Sequence, residues 1–247
     1  MNLIDLTDII QSESAAEEYL QQVGILQSFE KCIHCESSQL NKVRRGNIKC
    51  YACKREWSSK KFSSIEDIRI SPQKFLLTVK CFALKLNMET CATECDLNVI
   101  TVKKIYNLIR ASIDPLLAKD ISQTAMIPLQ LYIHNSTKKI RIVPYLNDDL
   151  TNNEELAARL LMERCRRSDN SYTFKIDLLK FESAIQKSTI GKVSRFVRDL
   201  NKQLVTFNKR SAQELLLIIA EVVFRFNCSD GDIFDDLLNF IGRNIGG

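Results

Sequence analysis

Two short cysteine pairs, Cys32-Ile33-His34-Cys35 and Cys50-Tyr51-Ala52-Cys53, stand fourteen residues apart and constrain this chain more than any other feature. Two residues between cysteines let both thiolates of one turn face a common point, and two such turns complete a tetrahedron around a single ion. The gap is slightly shorter than the usual about 15 to 20 residues, yet long enough for a hairpin. Arg44-Arg45-Gly46-Asn47 within that gap suits a hairpin tip carrying two cations. Trp57 and Phe62 follow the second pair and are expected to cover the site with apolar surface. Four thiolates close a structural zinc site without help from His34. Cys32, Cys35, Cys50 and Cys53 are thus the expected ligands of one structural zinc ion.

The remaining cysteines, Cys81, Cys91, Cys95, Cys165 and Cys228, are scattered through apolar or helical contexts. A disulfide framework favours short secreted chains with an even count, whereas this chain of 247 residues has nine. The pattern suits a reducing compartment, with these five as small hydrophobic core residues. The first residues are acidic (Asp5, Asp8, Glu13, Glu17, Glu18) and lack the basic start of a signal peptide. The longest apolar run, Leu215 to Phe224, is interrupted by Glu221 and is too short to span a bilayer. An intracellular location is expected, nuclear if the source is eukaryotic, with no membrane partner.

Net charge is only +5, but it is uneven. From Lys31 to Lys119 there are 17 Lys plus Arg against 8 Asp plus Glu, a balance of +9, which leaves −4 for the remainder. A basic half joined to an acidic remainder is the asymmetry of a chain that meets a polyanion through one half.

Behind the cysteine segment, Ser71-Pro72 reads as an N-cap followed by proline at the first helical position. Phe75, Leu76, Val79, Phe82, Ala83 and Leu86 recur at helical spacing, predicting a helix to about Leu86. A second helix is predicted from Met88 to Cys95 and a third from Thr101 to Ile113, ended by Pro115. The run Cys91-Ala92-Thr93-Glu94-Cys95-Asp96-Leu97-Asn98-Val99-Ile100-Thr101-Val102 has the offsets of a helix-turn-helix. Ala92 keeps two helices close, Asp96 tolerates a left-handed turn, and Asn98 can cap the third helix. That helix would turn Val99, Ile100, Lys103, Lys104 and Asn107 outward, with the lysines on phosphates and Asn107 at a base edge. Arg44, Arg45, Lys54 and Arg55 are the matching candidate contacts on the cysteine module.

The second half alternates. Leu129 to His134 and Lys139 to Pro144 predict a hairpin turning at Asn135-Ser136; Glu154 to Arg166 predicts an amphipathic helix; Tyr172 to Ile176 predicts a strand ending at Asp177. Helices are expected near Ser188–Leu204, Ala212–Phe226 and Asp232–Ile241. The fold class is therefore mixed α/β (α+β). Its expected parts are an N-terminal helical segment (1–30), a zinc ribbon (31–64), a helix-turn-helix (70–118), and a reduced ribonuclease-H-like domain with C-terminal helices (125–247).

Taken in order, these pieces resemble the Merlin superfamily of transposases and their bacterial insertion-sequence relatives. The resemblance covers the ribbon with Trp57-Ser58, the helix-turn-helix run, and the hairpin Ser136-Thr137-Lys138-Lys139-Ile140-Arg141-Ile142-Val143-Pro144. It continues through Tyr172-Thr173-Phe174-Lys175-Ile176-Asp177, Glu221-Val222-Val223-Phe224-Arg225-Phe226-Asn227 and Ile233-Phe234-Asp235-Asp236-Leu237-Leu238. It implies a ribonuclease-H-like domain whose acidic and polar ligands hold two divalent ions on a phosphodiester. Of those ligands only Asp177 survives, matching the second carboxylate. The strand for the first is missing between Lys119-Asp120 and Ile127. At the third position, Lys187-Ser188-Thr189-Ile190-Gly191 sets Ser188 for an asparagine and Gly191 for a glutamate. Serine is a poor ligand for a hard cation and glycine is none. One carboxylate cannot organise two ions, so Asp177 is expected to be a remnant. Asp148-Asp149 lies in a loop-like stretch and suits a helix cap.

The expectation is a non-enzymatic, transposase-derived protein that binds double-stranded DNA as a transcriptional or chromosomal factor and can oligomerise through its C-terminal half. The alternatives are an active metal-dependent nuclease with a rearranged site, and a zinc-ribbon module that contacts other proteins.

Overall fold

The computed structural model describes residues 1–114, 126–134, 140–144, 154–164, 172–177, 191, 195–196, 198–200, 212–228 and 233–243. The chain is mixed α and β and divides into two compact units, Met1–Ser112 with Asp232–Gly247, and Ile113–Gly231. No helix among the described residues is long and apolar enough to cross a membrane.

The first unit opens with α1 (Leu3–Ile10) and α2 (Glu13–Gln22), capped by Asn2 and Ser12. A three-stranded antiparallel sheet follows: β1 (Leu40–Lys42), β2 (Asn47–Cys50) and β3 (Glu56–Ser58), in that order. The expected hairpin tip is a 3-10 turn at Arg44–Gly46, and Gly46 takes the left-handed backbone (φ +69°) that closes it. Lys42 reaches back to the buried Glu17 of α2 at 2.5 Å, tying the sheet to the helical layer.

The three expected helices are present: α3 (Pro72–Ala83) ends three residues before Leu86, α4 spans Met88–Glu94, and α5 (Val99–Ile113) starts two residues before Thr101. Ser71 caps α3 through the Lys74 N–H, and Asn98 accepts from the Ile100 N–H at the start of α5. Phe75, Leu76, Val79 and Phe82 of α3 and Val102, Ile105 and Ile109 of α5 are buried at helical spacing and form the core of this part. Phe82 meets Tyr106 edge to face at 4.9 Å, and the Arg110 guanidinium lies 5.7 Å over the Phe82 ring.

Three helices end the same way. After α2, α3 and α4 the chain enters the left-handed region at Gly24 (φ +76°), Lys85 (φ +62°) and Asp96 (φ +48°). The N–H of the next residue (Ile25, Leu86, Leu97) then returns to a carbonyl of the last turn (Leu20, Cys81, Ala92). This is the Schellman arrangement, which satisfies carbonyls the helix leaves open. Lys74 holds the Asp96 turn by donating to its carbonyl (2.7 Å) and its carboxylate (2.8 Å), which lowers the Asp96 pKa through the hydrogen bond first and the charge second. Lys85 has no such compensation in its strained, exposed position. Lys85→Gly is therefore expected to stabilise the protein by about 0.5 to 1 kcal/mol, read as a raised urea midpoint; a lowered midpoint would contradict it.

The last helix, α7 (Phe234–Arg243), belongs to this unit rather than to the domain expected over 125–247. Phe234, Leu237, Leu238 and Ile241 are buried, the N-terminal ammonium meets Asp235 at 3.1 Å, and Lys80 sits 5.2 Å over the Phe234 ring. Gly242 approaches the Val23 carbonyl so closely that no Cβ fits.

The second unit contains a four-stranded antiparallel sheet in the order β5-β4-β6-β7. Its strands are β4 (Met126–His134), β5 (Ile140–Pro144), β6 (Glu154–Arg164) and β7 (Tyr172–Asp177). The predicted hairpin is present as β4 and β5, with Leu131 opposite Ile142, and β7 ends at Asp177 as expected. The helix predicted over Glu154 to Arg166 is instead the strand β6, paired on both edges with β4 and β7. Leucine, alanine, glutamate and arginine favour a helix weakly, whereas a central strand gains two ladders of hydrogen bonds, so tertiary pairing overrides local preference. With β6 extended, every pairing described in this sheet is antiparallel. A buried helix, α6 (Ala212–Asn227), packs against β5. The helix expected near Ser188–Leu204 is described only at 191, 195–196 and 198–200, all helical.

Candidate functional site

The two cysteine turns are built alike. Cys32 N–H donates to the Ser37 carbonyl and Cys50 N–H to the Arg55 carbonyl, each five residues on. The residue after each second cysteine, Glu36 (φ +58°) and Lys54 (φ +65°), is left-handed, which turns the chain back on itself. Both turns then aim backbone N–H groups at sulfur. His34 N–H donates to Cys32 Sγ at 3.4 Å, Ser37 N–H to Cys35, and the Ala52 and Cys53 N–H groups to Cys50.

These turns interleave their sulfurs. Cys32 Sγ lies 3.6 Å from Cys53 Sγ, Cys35 Sγ lies 3.6 Å from Cys50 Sγ, and all four fall within 4.8 Å of one another. A tetrahedron of thiolates with metal–sulfur bonds near ~2.3 Å spaces its sulfurs about 3.8 Å apart. The four cysteines could hold one metal ion. Without an ion the sulfurs are unequal. Backbone donors, led by Cys53 N–H and opposed by burial, draw Cys50 down to about 6. At Cys35 the Ser37 N–H also pulls down, but burial and hydrogen bonds to Cys50, Cys32 and Cys53 leave it up at about 12. A dication would let all four ionise together.

Cys32 and Cys50 are buried with Trp57, and Phe29, Ile33, Leu40 and Ile48 pack around them. Trp57 covers the cluster as expected, with Phe29 edge-on at 5.9 Å and the exposed His34 ring edge-on at 6.0 Å. Phe62 does not cover it. The Phe62 side chain is 52% exposed, with Lys61 over its ring, and the apolar lid expected of it is supplied by Phe29. The reason is backbone direction: Phe62 is left-handed (φ +62°) in the turn after β3, its N–H tied to Glu66.

The candidate nucleic-acid residues divide into two sets. On the cysteine module, Arg44, Lys54 and Arg55 are exposed, Arg45 shares the 3-10 turn of Arg44, and Lys54 Nζ sits 5.7 Å over the Tyr51 ring. On α5, Ile100, Lys103, Lys104 and Asn107 share one face by helical spacing, beside Val99 at its start. Val99, Ile100 and Lys104 are exposed, and Lys103 and Asn107 are half-buried. Asn107 Oδ1 accepts from Arg110 at 3.2 Å, so a two-pronged contact to a base edge would require Arg110 to let go.

The structure also gathers residues that the sequence left separate. Cys81, Cys91 and Cys95 are buried, as core cysteines should be, but their sulfurs converge within 4.8 Å and form a second group that could hold a metal ion. The i, i+4 spacing of Cys91 and Cys95 was a partial signal; nothing local connects Cys81 to them. Asp177 closes β7 opposite Arg159. Asp120, Asp148, Asp149 and Ser188 lie outside the described residues, and Gly191 is helical. No family model, curated protein or solved structure matches this chain.

Proposed function

We propose that the chain is a double-stranded DNA-binding protein, with Cys32, Cys35, Cys50 and Cys53 holding one structural zinc ion and α4–α5 acting as a helix-turn-helix. The observation that carries this proposal is the α5 face, where Val99, Ile100 and Lys104 stand exposed beside Lys103 and Asn107. The packing behind that face supports it. Ala92 is buried against its neighbours, Asp96 makes the left-handed turn, and Asn98 caps α5, so the helix that would enter a major groove is braced from behind. Four sulfurs at tetrahedral spacing favour zinc among the thiophilic ions, since a closed four-thiolate set is its structural preference.

Descent from a Merlin-type transposase is part of the proposal, on the order of motifs described above. The antiparallel sheet described in the second unit does not follow the hairpin-helix-strand order read from the residue pattern, so the proposal leans on the first unit. With Asp177 the one matching carboxylate, binding without cleavage is the proposed mode of action, as a transcriptional or chromosomal factor.

Duplex oligonucleotides and fluorescence anisotropy test it. Affinity should fall steeply with salt as counter-ions return to the phosphates, and Lys103→Ala with Lys104→Ala should flatten the log–log slope by about 1.8 if both lysines meet phosphates. Absence of salt-dependent binding to any duplex would overturn DNA binding in favour of a protein-interaction module. Magnesium- or manganese-dependent cleavage abolished by Asp177→Asn would overturn the non-enzymatic part alone.

A further inference from the structure

We propose that Cys81, Cys91 and Cys95 form a second metal site, a three-thiolate seat for one thiophilic closed-shell ion, zinc(II) or copper(I). The site is assembled by helix ends. Cys81 lies in the last turn of α3, and its carbonyl accepts from Leu86 N–H in the left-handed turn that folds the chain back into α4. Cys91 lies in the middle of α4, and Cys95 is the residue that caps it. One helical turn separates those two, so both face α3.

The sulfurs of Cys81 and Cys95 are 3.7 Å apart, those of Cys91 and Cys95 4.0 Å, and the third pair is within 4.8 Å. Three sulfurs around one ion at bonds near ~2.3 Å stand about 3.8 Å apart at three corners of a tetrahedron, or about 4.0 Å apart when trigonal. The Cys81–Cys95 and Cys91–Cys95 spacings match these values, and the third pair, within 4.8 Å, has only to draw in around the ion.

Its surroundings give the sulfurs one nearby cation and little water. The three residues are 9%, 0% and 4% exposed, so water cannot solvate them. The Thr78 hydroxyl beside Cys95 donates to the Lys74 carbonyl at 2.7 Å and the Tyr106 hydroxyl beside Cys91 to the Leu86 carbonyl at 3.0 Å, while the Lys74 ammonium, bonded to Asp96, is near enough to Cys95 to act on its charge. A nearby cation is one means by which a thiolate–metal centre offsets the charge of its ligands. Thiolates alone, with no histidine or carboxylate in the group, select soft ions over magnesium, calcium or manganese. Such an ion would clamp the seven-residue α4 onto α3 and fix the angle at which α5 is presented.

The site is independent of the ribbon, and the test keeps the two apart. Full-length protein, purified under reducing conditions, is loaded with zinc(II) or with copper(I), desalted, and its bound metal counted per chain. Wild type should retain two ions in one of the two arms. Cys81→Ala with Cys95→Ala should retain one, with helical circular dichroism unchanged, and Cys35→Ser with Cys53→Ser should also retain one. X-ray absorption on that ribbon variant should show a sulfur-only shell of about three, which also identifies the ion. If the ribbon variant retains no metal in either arm, the second site is overturned while the ribbon stands. If wild type and the Cys81/Cys95 variant bind equal amounts, the proposal is likewise wrong. Should the alanine variant lose its helical signal, the ribbon variant's stoichiometry decides alone.

Discussion

Replacing Cys50 with serine, or stripping metal with a chelator, should unfold residues 32–58 while leaving most of the helical signal intact. The ribbon's buried set is Cys32, Cys50 and Trp57 with a few partly buried neighbours, and its strands are three or four residues long. So small a core cannot offset the entropy of ordering its chain, and modules of this size depend on metal or disulfides. Binding of a structural zinc supplies about 10 to 16 kcal/mol near neutral pH, so its loss should dominate every other single change in this part. The chain has one tryptophan, Trp57, and it packs on the cysteine cluster, so its fluorescence reports the ribbon directly. The expected result is a red-shifted emission with chelator or in Cys50→Ser, reversed by zinc only in the wild type. Emission that stays unchanged with the metal removed would show that the ribbon stands on packing alone. Acid should act in the same direction. Cys50 is drawn below its ordinary value of 9.0 to about 6, first by the Cys53 N–H, so the stability its thiolate contributes is complete above 9.0 and lost as pH falls through about 6.

Phe82→Ala should produce the second large effect, a loss of about 3 to 5 kcal/mol in the first unit. Phe82 is 1% exposed and bridges α3 to α5 through the Tyr106 ring and the Arg110 guanidinium. Removing it leaves a cavity between two helices and strips Arg110, itself buried, of a face it covers. Urea unfolding followed by circular dichroism measures the loss, and Leu84→Ala, two residues on and 52% exposed, is the control that should cost little. If the two variants unfold at the same urea concentration, the packing assigned to Phe82 is wrong. A variant weakened in this way should also lose duplex binding if α5 is the reading helix, because its presentation depends on α3 behind it.

Several features of the first unit were legible because their causes are local. Two residues between paired cysteines determine a knuckle, Ser71-Pro72 determines a helix start, and Asp96 in place of glycine marks a left-handed turn that the structure has at φ +48°. The spacing of Phe75, Val79 and Phe82 and of Val102, Ile105 and Ile109 told which faces are buried. In the second unit, alternation in Leu129–His134 was enough for one hairpin, because a strand with one apolar face shows a period of two. The helix predicted at Glu154 failed for the opposite reason. Its residues tolerate either state, and what decided was the presence of β4 and β7 on both edges.

The amino-acid sequence by itself determined the four-sulfur cluster, the Ser71 and Asn98 caps and the Asp96 turn of the three-helix segment, and the basic face of α5. Each depends on residues close together in the chain, where spacing is geometry. Only the tertiary structure decided that β6 is a strand, that Phe29 rather than Phe62 shields Trp57, that α7 returns to the first unit, and that Cys81 meets Cys91 and Cys95. Those contacts join segments whose separation along the chain carries no distance information. Hydrophobic burial, which drives them, is non-directional, so partners are chosen by what packs and pairs in the finished fold.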